Sequence, residues 1–213
     1  MKKIICLVLA LVFASSFVSC GDGGAETFIS IVETSQPTVI ITQTTINDGS
    51  EEFKGEFTTT IGESEIVMEG TYLRYATVEE GVAADDPEGY IKSVPFKVYH
   101  KNGKYSTDGE TWFAGAPDET ALQVKLNLSE KHLGKYEISK DGKTLSTIIT
   151  SEDAKEILGI SIEAVDDEVQ LEIVHDGTLL RSISIIYATE ISDSVTIATS
   201  YSYGKVSSPE DAQ

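Results

Sequence analysis

Apolar residues recur at every second position through most of this chain, the period of a half-buried β-strand. Thr38–Ile46, rich in Val, Ile and Thr, predicts a first strand, and Asn47-Asp48-Gly49-Ser50 predicts the turn after it. Phe53, Phe57 and Ile61 then share one face, with Lys54, Glu56, Thr58 and Thr60 between them. Ile66, Met68, Gly70 and Tyr72 share the face of a third strand, opposite Glu65, Glu69 and Thr71. Residues 79–89 combine Glu79, Glu80, Asp85, Asp86 and Glu88 with Gly81, Pro87 and Gly89, a loop composition. Val94, Phe96 and Val98 mark a fourth strand in which Pro95 predicts an edge or a bulge. Asn102-Gly103 is the strongest hairpin signal; it predicts a turn that brings Tyr99 back toward Tyr105 and leads on to Trp112.

The second half continues the pattern after an ambiguous stretch, 117–133, read as irregular with a short helix near Ser129–Leu133. Tyr136–Ser139 and Thr144–Thr150 predict a hairpin around Asp141-Gly142. Ser151–Leu158 predicts a helix: Ser151 can cap free amides, Glu152 and Asp153 suit the positive end of the dipole, and Gly159 stops it. A three-stranded meander follows, carried by Val169, Leu171 and Ile173, then Ile183, Ile185 and Tyr187, then Val195, Ile197, Tyr201 and Tyr203. Its turns are Asp176-Gly177 and Ser192-Asp193. The fold class expected is mainly β, a β-rich α+β chain: one large curved antiparallel sheet, a half-barrel, with one or two short helices. Phe57, Met68, Phe96, Leu171, Ile185 and Ile197 are the expected buried residues of its covered face.

The first twenty residues break this pattern. Lys2 and Lys3 lead into the apolar run Ile4–Phe13, too short for a stable bilayer span, and the segment ends Phe17-Val18-Ser19-Cys20. It resembles the bacterial lipobox signal peptide, with Phe17 where the family prefers Leu. The resemblance implies cleavage before Cys20, acylation of its sulfur, and an extracytoplasmic protein held on a cell membrane or cell surface by lipid. The organisation expected is a signal peptide over 1–19, the lipidated Cys20 with a short tether over 20–25, one antiparallel β-rich domain over 26–206, and a disordered tail over 207–213. Since Cys6 falls in the leader, no intramolecular disulfide is expected after processing.

Charge removes one class of partner. The formal charge is −19, from 16 basic and 35 acidic residues, and losing Lys2 and Lys3 makes the mature chain more acidic still. Such a surface repels nucleic acid and anionic headgroups. Its acidity otherwise reads as solvation, with a divalent cation or a basic partner protein as the other uses.

Motifs for catalysis are lacking. His100, His132 and His175 show no metal-ligand spacing and read as exposed, idle side chains; no Gly-x-Ser-x-Gly elbow, mature thiol or phosphate loop occurs. Asp166-Asp167-Glu168 reads as turn solvation, and the Asn127-Leu128-Ser129 acceptor pattern as accidental in a bacterial host. No metal, cofactor or enzymatic role is expected.

The order of parts resembles the LolA-like group of exported proteins and lipoproteins, including the LppX/LprG type. The carrying segments are Lys97–Tyr105 with Trp112, Tyr136-Glu137-Ile138, Asp141-Gly142-Lys143, the helix 151–158, and the meander ending Tyr201-Ser202-Tyr203, within residues 36–205. The resemblance implies a curved half-barrel with helices plugging its concave side. The long N-terminal helix of that group is not evident in Glu26–Ser35, which is short and rich in β-branched residues. Two functions are compatible with these signals. One is binding or carriage of a lipid or other apolar ligand on the concave face, lined by Phe53, Phe57, Met68, Tyr72 and Phe96. The other is an envelope accessory lipoprotein that works by protein contact through a filled core, toward which the scarcity of methionine leans, Met68 being the only one after Met1.

Overall fold

The computed structural model describes residues 17–18, 24–47, 52–75, 91–115, 126–190 and 192–204. Its strands are β1 (Phe17–Val18), β2 (Val39–Asn47), β3 (Glu52–Ile61), β4 (Ile66–Tyr75), β5 (Ile91–Lys101), β6 (Lys104–Ser106), β7 (Phe113–Ala114), β8 (Tyr136–Ser139), β9 (Thr144–Ile149), β10 (Val169–His175), β11 (Leu180–Tyr187) and β12 (Ser194–Ser202). Two helices accompany them, α1 (Gly24–Thr34) and α2 (Ser151–Leu158), with a 3₁₀ turn at Glu130–His132. The strands form one curved antiparallel sheet in the order β1-β8-β9-β10-β11-β12-β2-β3-β4-β5-β6-β7, open at both ends, as the alternation predicts. β1 belongs to the segment that the sequence assigns to the leader; the other eleven strands start at Val39.

Most neighbours are hairpin partners. The exceptions are β1–β8, β9–β10, which are joined through α2, and the join between the chain's halves, where β12 runs antiparallel to β2 from Ser194↔Asn47 to Ser202↔Val39. That long-range pairing places the meander beside the first long strand.

Local signals explain the turns. Asn102 (φ 52°) and Gly103 (φ 71°) form the two-residue turn whose twist matches a hairpin. A two-residue loop pairs Lys101 with Lys104, so Tyr105 falls opposite His100 and Tyr99 opposite Ser106, one place from the expected Tyr99–Tyr105 approach. Pro95 lies where β5 is bordered by β4 alone, since β6 reaches only Tyr99–Lys101. For α2 the cap is Thr150, not Ser151: Thr150 Oγ1 accepts the Asp153 N–H at 3.0 Å, while the Thr150 N–H donates to the Asp153 carboxylate at 3.3 Å. The Ser151 amide goes instead to Asp167, 2.8 Å away. Gly159 ends the helix at φ 68°.

Helix α1 is a finding that the sequence reading missed. Its β-branched content suggests otherwise, yet Ala25, Phe28, Ile31 and Val32 recur at helical spacing and all are buried. It packs on β10 and on the 3₁₀ turn. The Leu180 N–H donates to Ser35 Oγ at 3.1 Å, tying the end of α1 to β11.

The main core lies between these helices and the β8–β12 half of the sheet. Phe28, Ile157, Leu145, Ala154, Val169, Leu171, Ile173 and Ile185 are its most buried members. On the opposite face Ile148 is 58% exposed, so this half buries one face only. A smaller cluster of Ile46, Ile91 and Val195 serves the other half. Of the six expected core residues, Met68, Leu171 and Ile185 are buried, whereas Phe57, Phe96 and Ile197 are half-buried. Cys20, the acidic loop 79–89, the stretch 117–125 and the tail lie outside the described residues.

Candidate ligand-binding groove

Two hollows lie side by side on the covered face. The smaller one, about 110 Å³, is walled by Ile40 and Thr42 of β2, Phe57 and Thr59 of β3, Met68 of β4 and Ile197, Thr199 and Tyr201 of β12, with Leu126, Leu158 and Ile160 over it. The other is a larger groove of about 810 Å³. Thr44, Ile46, Leu73, Tyr187, Val195 and Ile197 supply its sheet side, and segments 161–166 and 189–190 its rim. Ile197 belongs to both hollows.

Glycine creates the groove's floor. Gly70 adopts φ 144°, and a Cβ there would overlap the Glu56 carbonyl and lie 2.5 Å from Phe57 Cα. Only glycine admits so close a backbone approach. The β3–β4 ladder, in register from Ile61↔Ile66 to Phe57↔Gly70, stops at this point. Beyond it the Glu56 N–H donates to Thr71 Oγ1 at 3.3 Å. The alternation slips, and Leu73 rather than Tyr72 joins Ile46 and Phe53 on the groove side. Gly55 makes room for it, since a Cβ there would lie 3.1 Å from Leu73 Cγ.

The expected lining residues therefore separate. Phe57 and Met68 wall the smaller cavity. Phe53 packs against the Ile46–Ile91–Val195 cluster. Phe96 stands edge-on to both Phe57 and Tyr72, with ring centroids 5.4 Å apart in each pair. The groove residues Thr44, Ile46, Val195 and Ile197 did carry a signal, their period-two spacing on β2 and β12; Leu73 did not, because its placement depends on the slip at Gly70.

The rim is held by backbone contacts. The Val165 N–H donates to the Ala188 carbonyl at 2.9 Å, joining the two rim segments. Asp167 accepts the Ser151 amide, which holds its carboxyl below the usual carboxylate range. Glu163, Asp166 and Glu190 are exposed along the rim, and Val165 is 41% exposed between the first two.

The histidines correct the sequence reading. His132 and His175 are buried, and His100 is half-buried, where loss of solvent lowers its pKa. His132 Nδ1 accepts the Ser129 N–H at 3.2 Å, and its Nε2 lies 3.0 Å from Glu156. Lys131 also binds Glu156 and is the main reason that its carboxyl sits below the usual range, His132 adding to it. A serine, a histidine and a carboxylate in line invite a catalytic reading. Here, however, the ring nitrogen facing Ser129 already receives that residue's own amide, the arrangement of a reciprocal cap locking the 3₁₀ turn to α2. His175 Nδ1 accepts the Gly177 N–H at 2.9 Å, and its ring meets Phe28 of α1 edge-on at 4.6 Å. Pairing in the core, invisible to a spacing rule, accounts for His132 and for the Nδ1 side of His175, whose buried Nε2 has no hydrogen-bond partner among the described residues. Among the described residues, no group of three or more His, Cys, Asp or Glu side chains is arranged to hold a metal ion.

No family model matches the chain, and no curated protein matches it. Among solved structures it is similar to a redesigned β-barrel at 11% identity, over 81% of this chain and 96% of that one, with a TM-score of 0.22, a likeness too low to carry an argument.

Proposed function

We propose that this protein is a lipid-anchored, extracytoplasmic lipoprotein whose curved sheet binds an apolar ligand in the groove between β4, β11, β12 and the 161–166 segment. The observation that carries the reading is the groove itself. Its volume of about 810 Å³ falls within the roughly 300–1,000 Å³ of ordinary ligand pockets. Its half-buried lining residues Leu73, Tyr187 and Ile197, set over the buried Ile46 and Val195, offer apolar area that a ligand would remove from water. The site thus moves from the Phe57–Met68 cavity, whose 110 Å³ is smaller than the roughly 150 Å³ known to take benzene. Attachment through Cys20 would keep the groove near a membrane, because Gly24 already begins α1 and leaves three residues of tether, at most about 14 Å from Cys20 to Gly24. No described helix is long and apolar enough to cross a membrane.

The contact reading draws on a different observation: the β8–β12 half is filled by α1 and α2. The two separate experimentally. Native mass spectrometry of the full chain, gently extracted from membranes, should find a co-purifying apolar ligand that Leu73→Asp removes while the protein stays folded by circular dichroism. An empty wild-type protein that also fails to take up a fluorescent alkyl probe would refute ligand binding and leave contact in front. Cys20→Ala should shift the protein from the membrane fraction to the soluble one or leave it uncut; an unchanged, processed and membrane-bound variant would refute the anchor.

A further inference from the structure

The groove is chemically one-sided. Its floor is apolar, its rim carries Glu163, Asp166 and Glu190, all exposed, and among the described residues no Lys or Arg lines it. Resting on the apolar-ligand reading of this groove, we infer that its occupant is a single-chain amphiphile with a cationic head, of the alkylammonium class, and not a fatty-acid anion. A chain that covers Leu73, Tyr187 and Ile197 leaves its head beside the 161–166 and 189–190 segments, where a carboxylate head meets like charge and an ammonium meets opposite charge. The Val165–Ala188 hydrogen bond joins the backbones that carry these carboxylates, so both acidic segments border the groove before any ligand arrives. The far end of the chain abuts Ile197, the residue shared with the 110 Å³ cavity. Truncating Ile197 joins the two hollows and admits a longer tail.

The protein's overall negative charge attracts cations everywhere, so the test compares local with distant charge. The full chain, isolated from cells into nanodiscs of neutral lipid, is exposed to photo-reactive dodecylammonium and dodecanoate probes, and labelled peptides are identified by mass spectrometry. Peptides carrying Leu73 or Val195–Ile197 should be labelled more by the ammonium probe, on the order of tenfold at low salt. Raising salt should shrink that ratio, because the carboxylates are exposed. Glu163→Lys with Glu190→Lys should abolish or invert it, and Glu63→Lys with Glu137→Lys, an equal charge change at exposed sites away from the groove, should leave it standing. Ile197→Ala should extend the preferred ammonium chain. Equal labelling by the two probes, or an equal loss of preference in the distant pair, would overturn the headgroup inference while groove binding stood. No labelling of these peptides by either probe would overturn both.

Discussion

Replacing Phe28 by Ala tests whether α1 is part of the folded core. Phe28 is 1% exposed in the main cluster and meets His175 edge-on at 4.6 Å. Deleting a fully buried phenylalanine removes its burial and leaves a cavity, at a cost of about 3–5 kcal/mol. For a domain of this length each kcal/mol lowers Tm by about 2–4 °C, so the expected drop is about 6–20 °C. Phe57 supplies the internal comparison. It is half-buried and already borders a void of about 110 Å³, so Phe57→Ala gives up part of a side chain's burial, about 1–2 kcal/mol. Urea and thermal unfolding of the wild-type chain and both variants would rank them, with limited proteolysis after Phe28→Ala cutting first near α1. A loss under about 1 kcal/mol for Phe28→Ala, or a larger loss for Phe57→Ala, would refute the assignment of the core to the helix-covered half.

Thr150→Ala removes the cap of α2 and should cost about 1 kcal/mol, with faster hydrogen exchange at Asp153 and Ala154; unchanged exchange would contradict the capping geometry. Gly70→Ala meets backbone on β3 at a positive φ, so a loss on the order of 3 kcal/mol or misfolding is expected, and a variant as stable as wild type would show that the close approach is wrong. Glu172, facing Ser146 and Ser184 on the open face of the sheet, has its pKa raised by burial. Its folded pKa exceeds the unfolded one, so the stability it contributes is full below the ordinary glutamate range and is lost as pH rises through the raised value. Glu172→Gln should remove that loss and gain up to about 0.5 kcal/mol near neutrality. Urea midpoints measured from acid to neutral pH would check this, and parallel profiles for variant and wild type would refute it.

Period two was the legible signal because each long strand buries one face. Val169, Leu171 and Ile173 on β10 and Ile183 and Ile185 on β11 are buried as their alternation demands. The Asn102-Gly103 and Asp176-Gly177 turns follow from local chemistry alone: Asp176 accepts the Thr178 and Leu179 amides, which hold its carboxyl far below the usual range. What alternation cannot convey is depth. Phe96 and Ile197 share the pattern of Leu171 and Ile185, yet remain half-buried: Phe96 lies on β5, in the half that the helices leave uncovered, and Ile197 lies on β12 where it borders both hollows. Helix α1 was hidden by propensity, since Ile and Val argue for strand until their spacing from Ala25 and Phe28 is weighed.

The groove was legible residue by residue but not as a site. Ile46 and Val195 alternate within separate strands nearly 150 positions apart, and only the β12–β2 pairing, with Val195 opposite Ile46, makes them neighbours. Leu73 reaches the same floor through the slip at Gly70. A strictly alternating β4 would keep Leu73 off the face that carries Met68; the glycine that stops the β3–β4 ladder brings it there. Tyr72 meets Phe96 edge-on outside the groove lining, and the smaller aliphatic Leu73 leaves the floor open. The hollow therefore depends on Gly70 and Gly55 acting together, the first by redirecting Leu73 and the second by making space beside it.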